Sequence, residues 1–413
     1  MKFEDYRSIS EGIKTSISKL GYKKPTDIQY KAIPPILKGE DVLAIAQTGT
    51  GKTAAFAIPI LNILQERKIK GRADGIKCLV MAPTHELALQ IDSVFKTLGN
   101  HTRITTFCIH GGVDQEPQIE QLNEGVDVLI ATPGRMFDLV SQGALLLKRV
   151  EILVLDEADH MLDLGFIKDI NDLMRHLPKK RQTLFFSATI NEKIKNLAYS
   201  LVTNAIRIQI SPKDPVAKNI EHAVANVEMD DKRFFLEYLV KDHADKKILV
   251  FVRTKVRAER VKSAMERVKI VSETIHSDKL QKERESTMRS FRNGELKILI
   301  ATDVSARGID IPDVEYVVNY DLPDSSEQYV HRVGRTGRAN KRGQAVSFCS
   351  TEEQSLLKEI EENLGKPIKR IEISKNDYES TVNFSEDKTH NWKTLMKEEE
   401  EYINKRKKKK RKK

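Results

Sequence analysis

Residues 41–64 read DVLAIAQTGTGKTAAFAIPILNIL. The run DVLAIA (41–46) is short, apolar and β-compatible, and TAAFAIPILNIL, from Thr53 onward, has the length and apolar content of a helix. Between them stand Gly49, Gly51 and Lys52. A strand that passes through a glycine-containing loop into a helix opening on Lys-Thr is the context of a phosphate-binding loop. The glycines let backbone N–H groups turn inward around phosphate oxygens, and the helix N-terminus adds its dipole. Lys52 is then placed to neutralise β and γ phosphates, and Thr53 to present a hydroxyl to Mg²⁺. The candidate nucleotide loop is Ala46, Gln47, Thr48, Gly49, Thr50, Gly51, Lys52 and Thr53, with alanine where such loops usually begin with glycine.

The strand rhythm extends outward from this loop. Comparable runs lie at 77–82, 127–132, 152–156 and 182–187, and again at 247–252, 297–302, 316–321 and 345–349. Continuous Val/Ile/Leu runs separated by helix-length polar stretches read as parallel strands buried on both faces. The fold class is therefore α/β, built twice in tandem, each half a mostly parallel sheet flanked by helices. SPKDPVAKN (211–219) carries two prolines and no helical period, and reads as the linker between domains 1–210 and 220–374. Residues 375–413 read as a charged tail, largely disordered by self-repulsion, with a short helix near 391–404.

The chain has 413 residues, enough for two to three domains. A hydrophobic fraction of 39% beside 31% charged residues fits a soluble globular protein. No stretch approaches the ~20 apolar residues that span a bilayer, and the first residues lack a secretory signal's apolar run, so a cytoplasmic location is expected. Cys78, Cys108 and Cys349 form no CxxC pair, which argues against zinc ribbons, iron–sulfur ligation and a disulfide framework. Of the formal net charge of +10, nine charges come from KRKKKKRKK (405–413), so the rest of the chain carries +1. Nucleic-acid binding by the core must then come from local placement of charge, and the tail is a separate electrostatic device.

Two further stretches carry chemistry. ILVLDEAD (152–159) is an apolar strand that delivers carboxylates at its end. Asp156 can hold Mg²⁺ there, and Glu157 can polarise the water that attacks the γ-phosphate. In GYKKPTDIQ (21–29), the Gln29 amide offers one donor and one acceptor, which matches N7 and N6 of adenine, and Tyr22 can stack on the base.

Together these residues resemble the DEAD-box helicases of superfamily 2 over about residues 3–374. GYKKPTDIQ resembles the Q motif, with Phe3 as its upstream aromatic. AQTGTGKT is similar to motif I, where alanine at the first position is normal for the family. PTHELA (83–88), Gly111-Gly112 and TPGR (132–135) resemble motif Ia, the following glycine pair and motif Ib. DEAD (156–159) and SAT (187–189) resemble motifs II and III, and VFVRT (250–254) resembles motif IV. HSDKLQKER (276–284) resembles the segment after motif IV, ATDVSARGID (301–310) motif V, and HRVGRTGR (331–338) motif VI. MLDLGFIKDI (161–170), the short core and the basic tail are most similar to the bacterial RhlE-type subgroup.

The resemblance implies two RecA-like domains, an RNA-stimulated ATPase needing ATP and Mg²⁺, and local separation of short RNA duplexes or remodelling of RNA–protein complexes. It makes Arg335 and Arg338 arginine fingers, which three-residue spacing would put on one face of a helical turn. It assigns Asp310 to the ribose, gives His331 a link between nucleotide and motifs II and III, and joins Asp159 by hydrogen bond to Ser187 and Thr189. RNA contacts fall to Thr84, Gly111, Gly112, Thr132, Gly134 and Arg135 in the first half, and to Arg253, Gln281, Arg284, Thr302, Asp303 and Arg307 in the second. Small residues suit close approach to a sugar–phosphate backbone, and the near absence of aromatics predicts recognition of RNA without sequence readout. His85 stands where the family carries arginine, and Ser277 where glycine is common. Single-stranded and duplex RNA are the expected partners, ribosome precursors or the RNA-degradation machinery the expected setting, and a monomer the expected state. The competing expectations are a DNA helicase with the same ATPase core, and an ATP-dependent RNA clamp or annealing chaperone with little net unwinding.

Overall fold

Strand residues that are apolar at every position can be buried on both faces, and that property sets the layers here. The computed structural model describes residues 2–47, 49–68, 75–210, 216, 219–303, 314–337 and 342–385, which divide into two compact units.

The first unit opens with a short 3₁₀ turn (Phe3–Asp5), then α1 (Glu11–Lys19), α2 (Asp27–Leu37), β1 (Val42–Ala46), α3 (Lys52–Arg67), β2 (Cys78–Met81) and α4 (His85–Gly99). It continues with β3 (Thr106–Ile109), α5 (Glu116–Glu124), β4 (Val128–Ala131), α6 (Pro133–Ser141) and β5 (Ile152–Leu155). Next come α7 (Ala158–Asp163), α8 (Ile167–His176), β6 (Gln182–Ser187), α9 (Glu192–Leu201) and β7 (Ile206–Ile210). Its strands pair in parallel in the order β3-β4-β2-β5-β6-β1-β7. Side chains alternate across this sheet. Ala44, Val80, Ile130, Val154 and Phe186 join Phe56 and Phe95 of α3 and α4 in one core, with the Phe56 and Phe186 rings 5.2 Å apart. Leu43, Leu79, Leu129, Leu153 and Phe185 face the other way, onto Met136, Leu173 and Leu197 of α6, α8 and α9.

The second unit comprises β8 (Ile220–Asn226), α10 (Lys232–Asp242), β9 (Ile248–Phe251), α11 (Lys255–Arg267), β10 (Glu273–Ile275) and α12 (Gln281–Asn293). Then follow β11 (Ile298–Ala301), β12 (Tyr316–Asn319), α13 (Ser326–Val333), β13 (Gly343–Cys349), α14 (Gln354–Leu364), β14 (Lys369–Ile371) and α15 (Lys375–Phe384). This sheet is also parallel, in the order β10-β11-β9-β12-β13-β8-β14. Counted within its own unit, each sheet runs third, fourth, second, fifth, sixth, first, seventh. The repetition audible in the sequence is thus a repetition of winding, and both units have the RecA-like architecture that the resemblance implies.

All nine apolar runs in the sequence form strands, while β3, β7, β8, β10 and β14 were not among them. Four of these five are sheet edges, where one flank is open and alternation or polarity replaces a continuous apolar run. In β7 (IRIQI) Ile208 is the buried residue, and β14 (KRI) is exposed throughout. Asn219, at the end of the expected linker, is anchored in the second unit: its amide donates to the Gly337 carbonyl, and its own carbonyl accepts from Gly343 N–H at 2.9 Å. Helix α15 lies within the stretch assigned to the tail. Its Tyr378 hydroxyl donates to Asp231 at 2.8 Å and accepts from Glu228 N–H at 3.1 Å, and its ring centroid is 4.9 Å from that of Phe235 on α10. The short helix expected near 391–404 and the basic run lie outside the described residues. Among the described residues, no helix is long and apolar enough to cross a membrane.

Candidate nucleotide and nucleic-acid sites

In parallel α/β sheets, ligands gather at the carboxyl ends of the strands. In the first unit β5, β6 and β1 are neighbours, with Ile45 in register with Ser187. Their carboxyl ends therefore bring the 156–159 carboxylates, the 187–189 hydroxyls and the 46–53 loop together. Thr48 lies outside the described residues.

The loop's glycines have backbone reasons. Gly49 and Gly51 adopt φ of 82° and 91°, in the left-handed region that disfavours a Cβ. At Gly51 a Cβ would also lie 2.5 Å from the Gln29 amide nitrogen. The Thr50 hydroxyl donates to the Gln47 carbonyl at 2.8 Å and braces the turn. Ala46 is buried as the last residue of β1. Gln29 accepts from Thr26 N–H at 3.0 Å and donates to the Gly51 carbonyl at 3.2 Å, so its amide ties the α2 cap to the phosphate loop. One N–H and one oxygen lone pair remain for a base edge. Tyr22 is exposed and free to stack, whereas Phe3 is buried with Tyr6 in the core.

Lys52 opens α3 and is buried, and among the described residues its Nζ has no hydrogen-bond partner. The second unit supplies a control. Lys232 likewise opens the helix after its unit's first strand and is fully buried, but its Nζ sits 2.5 Å from Glu353 Oε2. The second unit neutralises its lysine with its own carboxylate, and the first leaves a buried ammonium for an external anion. Beside Lys52, burial pushes Asp156 up to about 6 although the Lys52 ammonium pulls it down, and Glu157 adds to the rise. The Asp156 carboxylate is thus short of positive charge, a deficit that a divalent cation corrects. Asp156 also accepts from Glu157 N–H at 3.0 Å.

Glu157 has φ 49° and ψ 50°, a left-handed backbone in a non-glycine residue, and strain of this kind concentrates at working sites. Asp159 Oδ2 accepts from Ala188 N–H (3.1 Å), Thr189 N–H (3.1 Å) and the Thr189 hydroxyl (3.2 Å). Ser187 donates to the Thr189 carbonyl at 2.8 Å. These bonds make the 156–159 and 187–189 segments one rigid piece. Strand β6 ends at Ser187, but α9 is capped by Asn191, which accepts from Ile194 N–H at 3.0 Å, so Thr189 is not the helix start.

The other three neighbouring strand ends of this sheet, those of β3, β4 and β2, carry the candidate RNA residues. Thr84 caps α4, its hydroxyl accepting from Leu87 N–H at 3.3 Å. His85 lies with its ring centroid 5.2 Å from that of His110 and its Nε2 close to Gly111. Gly112 has φ 78°. Arg135 donates to the Val113 carbonyl at 2.8 Å, laying its guanidinium over the glycine pair. Thr132 caps α6, and at Gly134 a Cβ would meet nothing within 4 Å. The start of α6 is therefore open to close approach from outside the protein.

The equivalent trio in the second unit is β10, β11 and β9. Arg253 N–H donates to Asp321 at 3.0 Å and its guanidinium to Glu353 at 3.3 Å, so the side chain is braced yet partly exposed. Thr254 caps α11 as Thr84 caps α4, accepting from Arg257 N–H at 3.1 Å. Gln281 and Arg284 open α12 and lie 3.4 Å apart. Thr302 is buried at the end of β11. Asp303 is held by a bidentate fork from Arg332, at 2.6 Å for each bond, and its side chain stays partly exposed. Arg307, Asp310 and Arg338 lie outside the described residues.

Helix α13 stops at Val333, so Arg335 sits in the following turn and not on the helix. The Arg335 Nε donates to the His331 carbonyl at 3.3 Å. Arg332 was not singled out by the sequence. It is almost fully buried, and besides its Asp303 fork it donates to the Asp321 carbonyl at 2.7 Å. Its signal was available: it is the first arginine of HRVGRTGR, but nothing local distinguishes a buried arginine from an exposed one.

A sheet with a phosphate loop beside strand-end carboxylates, followed by a second sheet of identical winding without that loop, is how a tandem RecA-like nucleoside triphosphatase is built. Residues 26–197 match the family described as DEAD/DEAH box helicase, and residues 231–340 match the helicase conserved C-terminal domain. The chain is 38% identical over 371 residues to the ATP-dependent RNA helicase CshA of Listeria monocytogenes, covering 90% of this chain and 70% of that one. It is 39% identical over 366 residues to the DEAD-box ATP-dependent RNA helicase RhpA of Helicobacter pylori, covering 88% and 73%. Among solved structures it resembles S. cerevisiae Dbp5 bound to RNA and ADP BeF3, with TM-score 0.82, 30% identity and coverage of 93% and 98%. Mss116p bound to single-stranded RNA and AMP-PNP follows with TM-score 0.81, 28% identity and coverage of 92% and 82%. The chain belongs to the DEAD-box ATP-dependent RNA helicases.

Proposed function

We propose that this chain hydrolyses ATP in response to single-stranded RNA and uses the cycle to separate short RNA duplexes locally or to remodel RNA–protein complexes. The observation that carries the ATP half is the buried Lys52 beside Asp156, without a hydrogen-bond partner among the described residues, set against a second-unit lysine already neutralised by Glu353. Lys52 and the loop N–H groups hold the phosphates, and Gln29 and Tyr22 hold the adenine. Glu157 orients the attacking water and accepts its proton. Asp156 and the Thr53 hydroxyl are the residues that would hold Mg²⁺, which supplies charge neutralisation on the phosphate oxygens when bound. The rigid bonding of Asp159 to the 187–189 segment transmits changes at the phosphates to the rest of the unit. His331 and Arg335 act on the nucleotide as the resemblance implies.

Each unit contributes its own strand-end residues to RNA. Open glycines and braced arginines at these positions suit a sugar–phosphate backbone and offer nothing to read base identity. The basic run at 405–413 adds a salt-sensitive tether. MLDLGFIKDI and the tail favour the RhlE-type subgroup, a cytoplasmic setting, and ribosome precursors or RNA-degradation machinery as the context.

The test is strand separation on RNA duplexes of increasing length with ATP and with a non-hydrolysable analogue. Local separation predicts rates that fall steeply with duplex length and product released only on hydrolysis. Rates independent of length would sink the local mechanism. Retention of single strands with no duplex release would favour the clamp.

A further inference from the structure

His160 immediately follows the four residues 156–159 and is buried in α7, 4% exposed. Among the described residues, neither of its ring nitrogens has a hydrogen-bond partner. A buried imidazole left without partners is uncommon, because the polar atoms lose water and gain nothing in return. Its Nδ1 lies 3.6 Å from Glu157 Oε2, three residues back on the same face of the helix. That separation is slightly too long for a hydrogen bond, and catalytic hydrogen bonds commonly tighten only when substrate is in place. Glu157 itself is the cap of α7 in a strained left-handed conformation, so its carboxylate starts from a backbone the helix does not regularise.

From this geometry we infer that His160 is a positioning residue for Glu157: in its Nδ1–H tautomer it donates to Glu157 Oε2 and fixes the orientation of the carboxylate toward the attacking water. A glutamate carboxylate at the end of three rotatable bonds has several orientations, and one tether to a buried ring removes most of them. His160 touches neither substrate nor metal in this role. It acts through the carboxylate, and its effect is confined to the chemical step. The inference rests on the assignment of Glu157 as the base in the proposed ATPase.

The experiment is steady-state ATPase activity with saturating single-stranded RNA for the parent chain, Glu157→Gln, His160→Leu and His160→Asn. Asparagine can place a side-chain N–H near the position of Nδ1, and leucine fills the space without one. The leucine variant is expected to lose roughly tenfold in kcat with KM for ATP changed less than about twofold, and the asparagine variant to recover most of the loss. Should the leucine variant fail to fold, His160→Gln takes its place with the same expected loss, since its N–H reaches toward the position of Nε2. Parental kcat in the leucine or glutamine variant, no recovery with asparagine, or a loss falling on KM would overturn the inference. If the parent is active and Glu157→Gln silent, such a result overturns the role of His160 alone. A parent without RNA-stimulated activity would overturn it together with the reading on which it rests.

Discussion

Lys52→Met and Lys232→Met should have opposite consequences, although both remove a buried lysine from the first position of a helix after a unit's first strand. Lys232 is fully buried, with Glu353 Oε2 at 2.5 Å and Asp321 Oδ1 at 4.0 Å. Burial lowers the Lys232 pKa against the pull of Glu353, so the ammonium is retained by its partner and not by its surroundings. Removing it strands a buried carboxylate that also receives Ser350 N–H, Leu322 N–H and Arg253. Breaking a buried pair from one side costs about 3–5 kcal/mol. Among the described residues Lys52 has no hydrogen-bond partner, only the attraction of Asp156, so its replacement should cost the nucleotide-free chain less than Lys232→Met does, about 1 kcal/mol. Nucleotide affinity should instead fall, since a charge-assisted contact of about 1.5–3 kcal/mol is lost, or roughly 10- to 150-fold in Kd. Urea denaturation followed by circular dichroism reads the first quantity, and calorimetric titration with a non-hydrolysable ATP analogue reads the second. Glu353→Gln added to Lys232→Met should recover part of the lost stability by discharging the stranded group. The reasoning is refuted if Lys52→Met destabilises the free chain as much as Lys232→Met does, or if Lys232→Met is neutral.

Asp159→Ala leaves the part-buried N–H groups of Ala188 and Thr189 without their acceptor and should cost the first unit about 1–3 kcal/mol, with Asp159→Asn milder; amide exchange at 188–189 localises the loss. Glu259 is held down at about 2, chiefly by its bond from His276 (2.8 Å), with Thr274 and Lys279 helping against burial. A carboxylate depressed in the folded chain stabilises it above the ordinary pKa, and here that contribution is lost as pH falls from about 4.5 through about 2. After solvent screening it amounts to on the order of 1–2 kcal/mol, so Glu259→Gln should flatten the acid limb of a denaturation series. His85 places its ring beside Gly111 in the expected RNA track. His85→Arg, which puts a permanent cation at that place, should tighten binding of single-stranded RNA roughly a few-fold, read by titration at fixed pH and salt.

The interior of both sheets, β8 apart, was legible because buried parallel strands announce themselves as continuous apolar runs, whereas β8 (IEHAVAN) is interrupted by polar residues. The edges were not: β7 and β14 spend most of their residues in solvent, and β10 is only three residues long. The nucleotide loop was legible down to its glycines, since the left-handed turns at 49 and 51 leave little choice of residue. What the local sequence could not reveal was which polar groups satisfy one another over distance. Asp303 and Arg332 are 29 positions apart, and Lys232 and Glu353 are 121 apart, so their pairing is a property of the winding. Motif VI spacing suggested a helical face for Arg335, but α13 gives way at Gly334 before that arginine is reached. Helix α15 was hidden in a charged stretch because its anchors are scattered: Tyr378 meets Asp231 and Phe235, Val382 packs on the core, and Phe384 meets Tyr238 of α10.

The measurement closest to the central claim is steady-state ATP hydrolysis with no nucleic acid, with single-stranded RNA and with single-stranded DNA, using Glu157→Gln as the control. Hydrolysis strongly stimulated by RNA alone and abolished by Glu157→Gln is the predicted result. Equal stimulation by DNA, or hydrolysis indifferent to both, would contradict the coupling of this nucleotide site to RNA.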